Sequence, residues 1–299
     1  QSHSNNVAIG NQAGIIITTG SYNFFGGAYA GDAVTTGSYN VALGYGSMGA
    51  SAGVTGSNNV ALGRQAGEDL TSGAYNVLVG WNSGASLTVG SGNAFLGYRA
   101  GLYVTSSDNV AIGHDALTGV SGSSTGDSTV AIGHQAGRSQ TSGGNNTYVG
   151  QLVGEYNSTG ANNAAFGYRA LQGVSGSSNS HNTAAGYGAG YQITTGAYNT
   201  FLGMNAGQTT TTGDNNTLVG YNAAASSATV SNEVTVGNAS VTRFRIPGIG
   251  LDWTAVPASL TGITDSASPY STALGSGALG ATPTGISNTA VGWNAGAAL

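Results

Sequence analysis

The residues of this chain that could do chemistry are few and widely spaced. Four histidines and eleven acidic residues are spread over 299 positions, and cysteine is absent. His114 and His134 occupy the same place in consecutive copies of the stretch "VAIGH", with Asp115 beside the first. In stacked coils two such imidazoles could come within reach of one cation. No third ligand is evident, however, and protein zinc sites use three or four, so the pair reads as a surface ladder. Glu68 and Asp69 are neighbours in sequence. Adjacent residues of a strand face opposite ways, which makes them a poor carboxylate pair for glycoside cleavage. No Ser/His/Asp signature, phosphate-binding loop, zinc spacing or "GGxGxD" calcium repeat is present. The sequence therefore predicts no catalytic residue, no metal and no cofactor.

Aromatic residues are better organised. Tyr22, Tyr39, Tyr75 and Tyr198 each precede an asparagine, and Tyr45, Trp81, Tyr98, Tyr168, Tyr187 and Tyr221 each follow a glycine of one repeated motif. Such rows could stack on sugar rings and bind a glycan. They could equally fill an interface between chains, where tyrosine offers apolar area with a polar tip. The interface reading is preferred.

The elements that position these residues follow from a period. The motif is asparagine, three mostly apolar residues and glycine, with its asparagines at Asn6, Asn23, Asn40, Asn59, Asn76, Asn93, Asn109, Asn146, Asn163, Asn182, Asn199 and Asn216, and with Thr129 and Glu233 as replacements. Anchor glycines follow four residues later, from Gly10 and Gly27 to Gly220 and Gly237. Most steps are 17 residues, and the longer ones carry extra Gly and Ser at one corner, as in "GVSGSSTGDS". A fixed short period of this kind marks a solenoid. Seventeen residues suit two short strands and two turns, so the expected fold is all-β: a parallel β-solenoid of about fourteen coils, roughly 65 Å long at about 4.8 Å per coil.

Finer expectations follow from strand alternation. The aliphatic pairs Val7/Ile9, Val60/Leu62, Val110/Ile112, Val130/Ile132 and Thr217/Val219 are expected inside the coil, with the alternate position (Ala8, or Phe95, Tyr148 and Phe201) outside. A second strand is expected through the aligned alanines Ala13, Ala30, Ala66, Ala100, Ala136, Ala170 and Ala206. The glycine of "TTG" (Gly20, Gly37, Gly196, Gly213) is expected to supply a positive φ in the closing turn. The asparagines are expected to form a buried ladder from coil to coil. The adjacent threonines of "TTG" alternate in direction, which argues against a flat ice-binding array.

Composition narrows the partners. No lysine and a net charge of −5 argue against nucleic acid, which requires a basic patch. No apolar run is long enough to span a membrane, and a start at Gln1 without methionine suggests a processed product or an excerpt. The repeat rod is expected over residues 1–237, a non-repeat insert or joint over 238–270, and resumed coils over 271–299. All four prolines fall after residue 246, and Gly275 and Gly292 are again 17 apart. The insert, with Arg243, Arg245 and Trp253, reads as a cap or joint in preference to a receptor-contact or docking element.

At these residues the chain resembles known families. "NNVAIGNQAG" and "STVAIGHQAG" are similar to the "SVAIG" head repeats of trimeric autotransporter adhesins. "YNTFLGMNAGQTTTTGDNNTLVGYNA" and "NEVTVGNASVTRFRIPGIGLDW" resemble repeats and segments of bacteriophage tail fibres and related surface fibres. The resemblance covers residues 5–237 and 271–299. It implies left-handed parallel β-rolls joined as a homotrimer, in a non-enzymatic rod displayed outside the cell, on the cell surface or on a virion. Such a rod would serve as a structural or adhesive fibre whose partners are copies of itself and a cell-surface glycan or protein receptor. Two rival readings are a self-polymerising filament subunit without a receptor and a tailspike-type glycan hydrolase, which needs two converging acids. Residues 289–299 and 1–6 together complete one 17-residue step, so head-to-tail stacking of copies is also expected.

Overall fold

The computed structural model describes residues 5–50, 53–122, 124, 126–246, 251–254, 272–274 and 289–291. Among them no helix occurs, and the chain forms two units, 1–238 and 239–299. The first is a parallel β-solenoid. Its fourteen three-residue strands run from β1 (Val7–Ile9) to β14 (Val234–Val236), and each pairs only with its neighbours in sequence. Equivalent residues meet in register, as in Val41↔Val60↔Val77.

The strands face the opposite way from the expectation. The middle residue is buried and the flanking aliphatics lie outside, as in Val60–Leu62 and Val110–Ile112. Phe25, Phe95, Tyr148 and Phe201 are fully buried. Val7, Ile9, Val77, Leu96 and Leu202 are exposed. The asparagine fixes this parity. Its amide must lie inside to reach the next coil, and residues two apart share a face, so the middle residue of the strand goes in with it.

The second strand is also corrected. The segment carrying Ala30, Ala66, Ala100, Ala136, Ala170 and Ala206 is a run of turns, although those alanines are buried. Only isolated bridges such as Val34↔Val54 and Val104↔Ser124 remain there. Left-handed backbone prevents extension: in one coil Gln65 and Gly67 have φ of 56° and 60°. The "TTG" glycines do not have positive φ. At Gly20 a Cβ would overlap the carbonyl oxygen of Gly37 in the next coil, so close stacking is what requires glycine there.

Core volume is balanced between two columns six residues apart. Where the strand centre is Phe25, Phe95, Tyr148 or Phe201, the partner is Gly31, Gly101, Gly154 or Gly207, and a Cβ on any of these glycines would run into the ring. Where the centre is Ala42, Ala111 or Ala165, the partner is Met48, Leu117 or Leu171, all buried. In these coils the two residues together fill the interior. Where both are small, as at Ala61/Gly67, Ala131/Gly137 and Ala184/Gly190, Leu78, Tyr148 and Phe201 of the next coil reach over the glycine instead, which keeps the interior close-packed.

Hydrogen-bonded ladders lock the coils together. Asn76 donates its backbone N–H to Oδ1 of Asn59 at 3.0 Å and its Nδ2 to the Gly90 carbonyl at 2.9 Å. Its own Oδ1 accepts from the backbone N–H of Asn93 at 3.0 Å. The same pattern recurs at Asn23, Asn40, Asn59, Asn93, Asn163, Asn182 and Asn199, and from Asn23 to Asn216 the ladder asparagines are buried. Thr129 breaks the column. The buried Gln140 repairs the rung by donating Nε2 to Thr129 Oγ1 at 2.9 Å and to the Gly143 carbonyl. Gly143 lies fourteen residues after Thr129, at the place a ladder amide would reach. At the last rung Glu233 donates its N–H to Asn216 Oδ1 at 2.9 Å, while its carboxylate accepts from the Ser226 N–H and hydroxyl and from the Thr235 hydroxyl. These bonds hold its pKa below the usual carboxylate range.

The second unit contains an antiparallel pair, β15 (Arg243–Ile246) with β16 (Leu251–Thr254), and a parallel pair, β17 (Thr272–Leu274) with β18 (Thr289–Val291). Thr272↔Thr289 keeps the 17-residue offset. The four prolines, Gly275, Asn288 and Gly292 lie outside the described residues.

Candidate functional site

The outer face of the sheet is the candidate functional surface. Both outward strand positions are uncharged in all fourteen coils, and the second of them is never polar (Ile9, Gly26, Leu43, Leu62, Val79 and so on to Val236). Two columns border this stripe. In the one just before each asparagine, Tyr22, Tyr39, Tyr75, His181 and Tyr198 alternate with smaller polar residues and Gly92; the one just after each anchor glycine is mostly aromatic, histidine or arginine. One coil thus presents Tyr75, Val77, Val79 and Trp81.

The border residues stack on one another. In the column before the asparagines, Tyr22 and Tyr39 lie 4.9 Å apart and nearly parallel, and His181 and Tyr198 lie 4.7 Å apart. These tyrosines hold left-handed backbone, with φ of 60° at both Tyr22 and Tyr75. In the column after the glycines, the Arg64 guanidinium sits between Tyr45 at 5.9 Å and Trp81 at 5.3 Å. Trp81 then meets Tyr98 at 5.3 Å, Tyr98 meets His114 at 4.9 Å, and His114 meets His134 at 5.1 Å. Further on, Tyr168 stacks on Tyr187 at 5.1 Å, and Arg169 lies 5.0 Å over Tyr168.

Of the six aromatics singled out in this column, Tyr45, Trp81 and Tyr98 belong to one continuous stack and Tyr168 and Tyr187 to a second. Tyr221 stands apart, with Met204 and Asn238 as its column neighbours. The stacked pairs Tyr22–Tyr39 and Tyr168–Tyr187 cover ring faces and leave edges outward, whereas Trp81 and Tyr98 meet edge to face with planes 70° apart. A sugar ring packs on an aromatic face, so inside these stacks the geometry suits an apolar interface better than a sugar platform. Arg64 was the member that aromatic spacing alone could not reveal, although it follows Gly63 in the same column; Arg169 stands one residue beyond it.

No protein-family model, curated protein or solved structure matches this chain.

Several acidic residues are occupied within the coils. Glu155 is buried, accepts from Gln172 Nε2 at 2.6 Å and pairs with Arg138 at 3.3 Å. Asp127 and Asp214 accept backbone N–H groups from the preceding coil, at 2.8 and 2.7 Å, in a column otherwise served by Ser38, Ser57 and Ser91. Asp115 pairs with Arg99 at 3.5 Å. Among the described residues no group of three or more His, Cys, Asp or Glu could hold a metal ion.

Asp32 is less well served: its Oδ1, like that of Asp115, is buried without a hydrogen-bond partner. Burial pushes its pKa up, against smaller lowering contributions from backbone N–H groups. A raised folded-state pKa means that the folded protein binds this proton more tightly than the unfolded chain. Stability therefore falls as pH rises through the carboxylate range. Asp32→Asn should raise the thermal midpoint at pH 7 and leave it unchanged at pH 3; an equal effect at both would contradict the assignment.

Proposed function

We propose that this chain is a self-assembling structural or adhesive fibre, a β-solenoid rod displayed outside the cell or on a virion, whose copies pack as a homotrimer through the outer face of the sheet. The rod acts without catalysis and offers its remaining surface for attachment to a glycan or protein receptor.

The observation that carries this reading is the uncharged stripe from Val7 to Val236. Parallel sheets are ordinarily covered on both faces, and here one face is covered by the coil's own core. Fourteen strands at about 4.8 Å make the other face roughly 60 Å long. With its aromatic borders that area is on the order of 1,000 Å² per chain, comparable to the roughly 800 Å² per partner of a stable interface. The stripe is apolar apart from Thr147, Thr183, Thr200 and Thr217, and an exposed, largely apolar surface of that length on a soluble monomer is unusual.

Sedimentation velocity on the purified protein should give a trimer at micromolar concentration. Val60→Glu together with Val110→Glu, both partly exposed on the outer face, should shift it to monomer with its β-sheet circular dichroism intact. A wild-type protein that stays monomeric and soluble at that concentration would refute the proposal.

A further inference from the structure

The stacked column contains one pair of metal-binding side chains in contact. His114 and His134, both exposed, lie in consecutive coils with ring centroids 5.1 Å apart and planes inclined by 34°. Tyr98 lies against His114 as well, at 4.9 Å, so the imidazoles meet solvent along their edges. Nδ1 of His114 is 3.4 Å from Oδ2 of Asp115, whose Oδ1 lies 3.5 Å from Nε of Arg99. Asp115 is buried, which fixes the carboxylate. A carboxylate on one imidazole nitrogen sets the tautomer and ring orientation and leaves the other nitrogen as a ligand. Protein-bound metals are commonly supported by this second tier of contacts.

We propose that His114 and His134 form a two-imidazole site for Cu²⁺, oriented by Asp115 and Arg99. Cu²⁺ is favoured for two reasons. It stands highest among the divalent first-row ions for nitrogen ligands, and it accepts a tetragonal arrangement in which water completes the coordination. Zinc sites with three or four protein ligands are a poorer match to a pair. Ligation requires the two Nε2 edges to converge by side-chain rotation, and the coils need not move. The site uses side chains of one chain alone, but its column borders the face proposed to pack in the trimer, so the Val60→Glu/Val110→Glu monomer is titrated beside the wild type.

Calorimetric titration of the full chain with CuCl₂ in a weakly coordinating buffer tests it, with electron paramagnetic resonance to count bound nitrogens. One site per chain is expected, with two equivalent nitrogens. His114→Gln and His134→Gln should each weaken binding at least tenfold and leave a single-nitrogen spectrum. Asp115→Asn should weaken it about tenfold. His181→Gln, in the other column, should change nothing. Binding by His134→Gln as tight as wild type, or a wild-type spectrum with one nitrogen, overturns the site. Unchanged affinity in a folded Asp115→Asn protein overturns the orienting role. If that variant does not fold, the two exposed histidines still decide the site.

Discussion

Phe201→Ala and Gly207→Leu are expected to be severely destabilising singly and far milder together. Phe201 is fully buried, and a Cβ on Gly207 would overlap its ring. Removing the ring leaves a cavity worth about 3–5 kcal/mol. Placing a leucine side chain at position 207 beside the intact ring forces overpacking of about 3 kcal/mol or more. The double variant recreates the pairing found at Ala165 and Leu171. Leucine is compatible with the backbone there, since Leu171 and Leu117 hold φ of 47° and 46° against 64° at Gly207. The double-mutant cycle should give a coupling of at least about 2 kcal/mol. Additive single effects in denaturant unfolding would show that the two columns do not share one volume.

The second large effect concerns the ladder. Asn76→Ala leaves the Asn93 N–H and the Gly90 carbonyl without their partners inside the coil. At about 1–3 kcal/mol for each unsatisfied group, the loss is on the order of 3 kcal/mol. Asn76→Asp separates the two ends of the amide. It keeps the acceptor for Asn93 but sets a carboxylate against the Gly90 carbonyl and Asn59 Oδ1. The folded state then favours the protonated acid, and its pKa is raised above the unfolded value of about 3.9. Stability should be highest below that value and fall as pH rises through the folded pKa. Thermal midpoints across pH 3–7 test this, and a flat profile for Asn76→Asp would place the side chain in water.

The solenoid was legible because the asparagine–glycine period survives every insertion. The facing of the strand was not. Asparagine and the aliphatics compete for the inside, and hydropathy favours the aliphatics, whereas the amide's need for the next coil's carbonyl decides the outcome. The second strand was illegible for a related reason. Left-handed backbone there is held by Gln65, Arg99 and Leu152, residues that give no sign of it in sequence. Among candidate site residues, the column after the anchor glycines was visible from spacing. The placement of Arg64 between Tyr45 and Trp81 was not, because a cation interrupts an aromatic row in sequence while continuing it in space. Gln140 could have been found, since it stands eleven residues after the one interior rung, Thr129, that lacks asparagine.

Because each ladder asparagine bonds only to the coils directly before and after its own, the bonds that hold the solenoid together lie in series along its axis. Tension applied at the two ends loads every interface equally, and the weakest yields first. Each coil that peels away frees about 17 residues, which extend to roughly 60 Å at about 3.5 Å per residue, against about 4.8 Å when stacked. The remaining coils keep their register, since none depends on a distant partner. Pulled from its ends, such a solenoid is expected to behave like a mechanical fuse, lengthening in steps and rewinding from the coils still in place.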